Sequence, residues 1–231
     1  MTTAAIDTRL NFRKAIAAFR ALQANPEDTS KIFVIFRALR GKSGQKSFAR
    51  FKASATGRAV LADRRMLLNR LTDRAALAAL PDGSLGRAYL AFMESENLSA
   101  DGLVMASQME KEPMSPDVEL FAARMRDAHD LTHILTGYGR DPLGELCLLT
   151  FTYRQNGNLG LIMVVAMAWR RLPSAAREAV REAWRHGPQA RWLGDQDWEA
   201  LLARPLAEVR QMLGIMPPVI YPPLAHLRAA R

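Results

Sequence analysis

Residues 129–145 read HDLTHILTGYGRDPLGE and hold two of the chain's four histidines, His129 and His133. Asp130 lies between them, and Glu145 follows twelve residues after the second. On a helix, His129 and His133 stand one turn apart on one face, and both imidazoles can reach a single divalent cation. His-Glu-x-x-His zinc helices use the same spacing. Asp130 is about 100° further round the helix, where it can ligate directly or orient a ligand through an outer hydrogen bond. Glu145 comes after a Gly-rich break, and a helical hairpin there would fold it back towards the histidines. Two imidazoles with one or two carboxylates form a complete protein ligand set with room for water or substrate. Such a set suits zinc, and equally iron or manganese. A metal-free polar cluster is the plain alternative, since histidines four apart also arise without any ion.

Other chemistries fail on inspection. RGKSGQKS contains Gly-Lys-Ser, but a phosphate loop needs glycine at position 36, where the chain has Phe36. Asp130 stands where a zinc protease has its general-base glutamate. A His-Asp phosphohydrolase would want an upstream histidine, and none precedes His129. No Gly-x-Ser-x-Gly nucleophile site exists. The one cysteine, Cys147, cannot form an internal disulfide and reads as a small buried hydrophobe in LGELCLLTF. His186 and His226 have no such company, and read as a helix-end cation and a tail residue.

The elements that must position this cluster are helical. The chain has 231 residues, 49% hydrophobic and 24% charged, rich in good helix formers and poor in alternating Val-Ile-Thr runs. We expect an all-α, single-domain bundle of many helices. Asp7 caps a helix over 8–24, and Asp28 or Thr29 caps the next, over 30–40. KSFARFKAS follows, then a helix over 58–71. Ser84 in the turn PDGS caps a helix from Leu85, and 97–116 is loop-like. Pro116 opens one long helix over 117–135, and TGYGRDP breaks it before LGELCLLTFTY. The apolar run LGLIMVVAMAW, Leu159 to Trp169, is too short to span a bilayer. It forms a core helix or lines an apolar cavity. Pro173 and Gly187 bracket another helix, and Pro205 splits the last one. The Pro-rich tail, 214–231, is expected to run extended along the surface.

Charge is unevenly spread. Residues 1–74 carry 16 Lys+Arg against 5 Asp+Glu, whereas the whole chain is only +9. Such a surface suits an anionic partner: nucleic acid, acidic lipid headgroups or an acidic protein. Phe33, Phe36, Phe48 and Phe51 lie among these cations and could stack on bases, but their helical spacing favours the core, so we expect no nucleic-acid partner. The chain divides into a basic, mobile helical region over 1–50 and a helical domain over 51–231 that carries the metal site. No secretory leader is visible in MTTAAIDTRLNFRK.

His-Asp-x-x-His, eleven residues, then Glu resembles the hallmark of a coenzyme Q (ubiquinone) biosynthesis family, the fourth of the Coq series. LPDGSLGRAYLAFMESENL (80–98) resembles that family's upstream segment, and WEALLARPLAEVRQMLGIMPP (198–218) its ending. The resemblance covers roughly residues 50–218. It implies a mostly helical fold with a divalent metal held by His129, Asp130, His133 and Glu145, with Asp130 and Glu145 in the catalytic role. The activity implied is oxidative decarboxylation of a polyprenylated hydroxybenzoate-derived precursor, the C1 carboxyl giving way to a hydroxyl. The alternative is a non-catalytic lipid-binding scaffold that gathers the other ubiquinone biosynthesis proteins. The prenyl tail would need an apolar groove, for which LGLIMVVAMAW and LCLLTF are the candidates. The basic N-terminus would dock on anionic lipid, each Lys or Arg contributing about 1 kcal/mol. The place implied is the membrane surface: the cytoplasmic face of a bacterial inner membrane, or the matrix side of the mitochondrial one. A homo-oligomer is compatible with all of this.

Overall fold

The structure, a computed structural model, describes residues 8–25, 28, 30–95 and 114–221. Among these residues the regular elements are all helical, and the one β-type pairing is an isolated bridge between Ser84 and Pro205. The chain opens with a hairpin of α1 (Phe12–Ala24) and α2 (Ser30–Ala38). Four short helices follow: α3 (Ser43–Ala53), α4 (Ala55–Asp63), α5 (Leu67–Thr72) and α6 (Arg74–Ala78). Then come α7 (Leu85–Ser95), α8 (Pro116–Asp127) and α9 (His129–Thr136). The second half holds α10 (Pro142–Asn156), α11 (Leu159–Trp169), α12 (Ser174–His186), α13 (Trp198–Leu201) and α14 (Leu206–Leu213).

Helix α10 is the centre of the bundle. Leu146, Cys147, Leu148 and Phe151 are all buried, and α10 packs on both α11 and α12. Helices α7 and α9 pack on each other and add Tyr89, Leu131 and Leu135 to the same core. A smaller cluster joins Ala15 and Ala18 of α1 to Val34 and Ile35 of α2, with Met163 and Val164 of α11 against it. Phe51, fully buried, stacks at 4.9 Å on Phe121 of α8 in a third cluster.

Several boundaries differ from those read in the sequence. Helix α1 starts at Phe12, not at residue 8, because Asn11 caps it by accepting the Lys14 N–H at 2.9 Å; Asp7 lies outside the described residues. The helix expected over 58–71 is broken at Arg64, which adopts a left-handed φ of 51°. The Arg64 guanidinium then reaches Asp117 at 2.8 Å and the Pro116 carbonyl at 3.1 Å, tying the bend to the start of α8. The long helix over 117–135 is interrupted at Ala128, which has φ −76° and ψ −3°. The Thr132 hydroxyl donates to the Ala128 carbonyl at 2.9 Å, beside the Thr132 N–H at 3.1 Å. Such back-bonding from threonine bends helices. Ser84 behaves as expected and accepts the Arg87 N–H at 3.3 Å. Most of the loop expected over 97–116 lies outside the described residues.

The C-terminal segment departs in part. Its described part, 214–221, runs along the surface as expected, with Met216 and Val219 exposed at 50% and 77%, but it also turns side chains inward: Ile215 and Tyr221 are buried, at 5% and 4% exposure. The buried carboxylate of Glu182 on α12 accepts the N–H groups of Val219 (2.9 Å) and Ile220 (3.1 Å). A proline-rich stretch cannot offer many backbone donors, and a buried carboxylate satisfied by two of them gains charge-assisted bonds. Tail and acceptor are 37 residues apart, so local sequence reading could not pair them.

Candidate metal centre

The break at Ala128 starts α9 with His129, so both histidines and Asp130 fall on its first two turns. Gly137 ends α9 at φ 76°, a conformation that costs glycine little, and its N–H caps the His133 carbonyl at 2.8 Å. The chain then turns within five residues into α10. Asp141 caps that helix by accepting from Leu143 N (3.0 Å) and Gly144 N (3.3 Å), with Pro142 in the first helical position. Glu145 therefore sits in the first turn of α10, where the helix dipole favours a carboxylate.

The hairpin places Asp130 in one cluster with the two histidines and sets Glu145 against both imidazoles. The His133 Nδ1 faces the Tyr138 carbonyl at 2.9 Å. With that nitrogen as donor, Nε2 is left bare and turned to the site, as an outer hydrogen bond commonly arranges for a ligating histidine. His133 Nε2 lies 3.2 Å from His129 Nε2 and 3.4 Å from Glu145 Oε1. His129 Nε2 lies 3.9 Å from Glu145 Oε2. Two nitrogens bound to one tetrahedral metal at 2.0–2.1 Å stand about 3.3 Å apart, so these spacings fit a shared cation. Donor atoms of His129, Asp130 and His133 all lie within 4.8 Å of one another. His133 is fully buried, while His129 and Glu145 each keep about a third of the side chain open, leaving an approach from one side.

The metal-free electrostatics favour the ligating form at His129 and Glu145 and the protonated form at His133 and Asp130. Burial, then the neighbouring His133 charge, push the His129 imidazole down to about 4, so it is neutral and able to ligate at neutral pH. Burial also lowers His133, but the hydrogen bond and charge of Glu145 outweigh it and raise the group above its ordinary value. Glu145 is held low, because His133 and His129 overcome its own desolvation. Burial raises Asp130, while the charges of His133 and Arg140 pull it the other way.

Sequence reasoning missed the supports. Phe92 of α7 stacks on the His133 ring, with centroids 6.0 Å apart and planes at 22°. The Tyr221 hydroxyl accepts the Gly139 N–H at 2.8 Å and donates to Asp141. The cap at Asp141-Pro142 was readable from its residue types; Phe92 and Tyr221 come from distant segments and carry no local signal.

Helices α10, α11 and α12 also border an open cavity of about 410 Å³. Thr150, Ile162, Val165, Trp169, Val180 and Trp184 are among the residues that line it. Of LCLLTF only Thr150 reaches this lining, because Leu146, Cys147, Leu148 and Phe151 are taken up by the core. Among the described residues no helix is long and apolar enough to cross a membrane.

Comparison with known proteins gives a consistent result. The family model described as coenzyme Q (ubiquinone) biosynthesis protein Coq4 matches residues 9–219, so the match includes most of the basic N-terminal region. The mosquito Culex quinquefasciatus has a relative named ubiquinone biosynthesis protein COQ4 homolog 1, mitochondrial. It is 32% identical over 163 residues, covering 71% of this chain and 59% of the relative. The Danio rerio protein, also named as a mitochondrial COQ4 homolog, is 28% identical over 176 residues, 74% of this chain and 64% of the relative. The chain thus spans about three-fifths of the length of these curated relatives. The crystal structure of a candidate ubiquinone biosynthesis protein from Nostoc punctiforme superposes with a TM-score of 0.64 at 22% identity. It covers 89% of this chain and 99% of its own, and it shares the fold.

Proposed function

The chain belongs to the coenzyme Q (ubiquinone) biosynthesis protein Coq4 family, and from that premise we propose that it acts in ubiquinone biosynthesis as a metal-dependent decarboxylase of a polyprenylated benzoate head group. The observation that carries this reading is the close triangle of His129 Nε2, His133 Nε2 and the Glu145 carboxylate, with edges of 3.2, 3.4 and 3.9 Å. His129, His133 and Glu145 would hold the cation, with Asp130 as a further ligand or as a base beside it. A divalent ion there supplies positive charge to the anionic ring carboxylate and polarises the bond that changes.

The chain's own groups do the rest. His133 is fixed by the Tyr138 carbonyl and the stacked Phe92, so its Nε2 points one way. Asp130, its carboxyl raised by burial, is the candidate acid–base group beside the cation. In the net change the ring carboxyl group leaves as CO₂, a water-derived oxygen becomes the hydroxyl, and two protons and two electrons are released, the electrons passing to an external oxidant. The cavity beside α10 is a candidate berth for the prenyl tail, each buried CH₂ contributing roughly 0.8 kcal/mol.

The membrane surface is the partner we propose for α1. Its buried residues are alanines, Ala15 and Ala18, while Phe12 and Ile16 on it and Leu10 just before it are exposed at 53%, 44% and 42%. Between residues 8 and 24 there are four basic residues and no acid. Basic residues mixed with outward apolar ones suit an anionic lipid interface.

Metal content by mass spectrometry, on protein purified without added metal, tests the site. Near-stoichiometric iron, manganese or zinc is expected in the wild type and should be lost in His133→Ala. Equal metal in both, or none after titration with all three, would sink the metal-centre reading. Cells lacking the protein then separate enzyme from scaffold. With Glu145→Ala, a C1-carboxylated precursor should accumulate while the other biosynthetic proteins still assemble. Loss of assembly with a folded variant favours the scaffold.

A further inference from the structure

The turn between α9 and α10 carries both halves of the cation site. At one end the Tyr138 carbonyl fixes the His133 ring; at the other, Glu145 stands in the first turn of α10, its N–H bonded to the Asp141 carbonyl at 2.9 Å. Any slack in residues 137–144 would change the distance between His133 and Glu145. The packing leaves little slack. A Cβ placed on Gly144 would lie 2.1 Å from the Gly139 carbonyl oxygen and 2.8 Å from the Tyr221 hydroxyl. A Cβ on Gly139 would meet that same hydroxyl at 2.6 Å. Tyr221 thus fills the inner side of the turn.

We propose that Tyr221 is a positioning residue for the cation site. Its hydroxyl accepts from Gly139 and donates to Asp141, and so sets the aim of His133 and Glu145 without touching either. The inference rests on the metal-centre reading above. Asp141 divides its two oxygens between these duties: Oδ1 caps α10, and Oδ2 accepts the hydrogen bond from the Tyr221 hydroxyl. Tyr221 also packs edge-on against Tyr138, with ring centroids 5.5 Å apart and planes at 79°. It is delivered by the segment that Glu182 anchors through Val219 and Ile220. A chain of contacts therefore runs from α12, through the C-terminal segment, to the two ends of the turn. Partners that orient a ligand from outside usually change metal affinity 10–100-fold when removed.

Tyr221→Phe isolates the hydroxyl, because the ring and its contact with Tyr138 are kept. The full chain is titrated with Co²⁺, reading the visible absorption of the bound ion, for wild type, Tyr221→Phe, Glu182→Gln and His133→Ala. The thermal midpoint of each is taken without metal. Tyr221→Phe is expected to bind Co²⁺ at least tenfold more weakly, with an altered band shape, while its metal-free midpoint stays within a few degrees of wild type. Glu182→Gln, which loosens the same segment from its far end, should shift the spectrum in the same direction and serves if Tyr221→Phe does not fold. Wild-type affinity and spectrum in both variants, with binding lost in His133→Ala, would overturn the positioning role alone. Undiminished binding in His133→Ala would overturn the metal centre and this inference with it.

Discussion

At the scale of single residues, the site combines two histidines with opposite tendencies. His129 is depressed to about 4 by burial, and His133 is raised by Glu145. In the metal-free protein the raised His133 contributes stability that is full below its ordinary value of 6.5 and is lost as pH rises through its folded pKa. The lowered Glu145 contributes above its ordinary 4.5 and is lost as pH falls through its folded pKa. The pair therefore helps most between those two values, whereas neutral His129 costs stability as pH drops from 6.5 towards 4. A cation reverses the His133 preference, because it needs the bare nitrogen. The rise in thermal midpoint on adding Mn²⁺ or Zn²⁺ should accordingly be larger at pH 7.5 than at pH 5.5, and absent in His133→Ala. A midpoint shift independent of pH would mean that the ion binds elsewhere. His129, Asp130, His133 and Glu145 were all legible, because i,i+4 spacing and a Gly-rich break are local signals. Phe92, Tyr221 and Glu182 were not, since what makes them important is a contact across 41, 80 and 37 residues.

At the scale of elements, two helices that read as continuous are each broken in two. The alternation of apolar residues survives a kink, so periodicity alone gave no warning at Ala128 or Arg64. Side-chain contacts accompany both breaks: a threonine hydroxyl bonds back in one case, and an arginine reaches a distant helix start in the other. The first break makes His129 the first residue of α9, which packs on α10. The α9–α10 turn is the element most sensitive to change. Asp141→Ala removes the cap of α10, which typically costs about 1 kcal/mol. For a chain of this size that lowers the melting midpoint by roughly 2–4 °C, and Co²⁺ affinity should fall with it. Gly144→Ala should be worse on both counts, since its methyl group collides with backbone rather than with a movable side chain. Calorimetry with and without metal checks both; a Gly144→Ala protein that melts and binds like wild type would refute the tight-turn account.

At the scale of the whole molecule, the all-α character and the placing of the site in a helical hairpin were readable from composition and spacing. The inward anchoring of the C-terminal segment was not, because prolines describe what a chain cannot do and leave its partner unspecified. The N-terminal helix inverts the usual rule, with alanines inside and Phe12 and Ile16 outside. If α1 meets lipid, Phe12→Ser with Ile16→Ser should weaken sedimentation with phosphatidylglycerol vesicles at least tenfold. Arg13→Glu with Arg20→Glu should do the same and also remove most of the salt dependence. Binding unchanged in both pairs would move the contact off α1. The cavity between α10, α11 and α12 has a different consequence. Two of the four tryptophans, Trp169 and Trp184, stand in its wall, Trp184 with one arginine over its ring at 4.5 Å and Trp169 with two at 5.3 and 5.7 Å. The other two, Trp192 and Trp198, are packed in the interior. The protein thus carries its own optical gauge: a prenyl chain entering the cavity would dry one pair of indoles and shift their emission to the blue, while the interior pair holds steady as the reference.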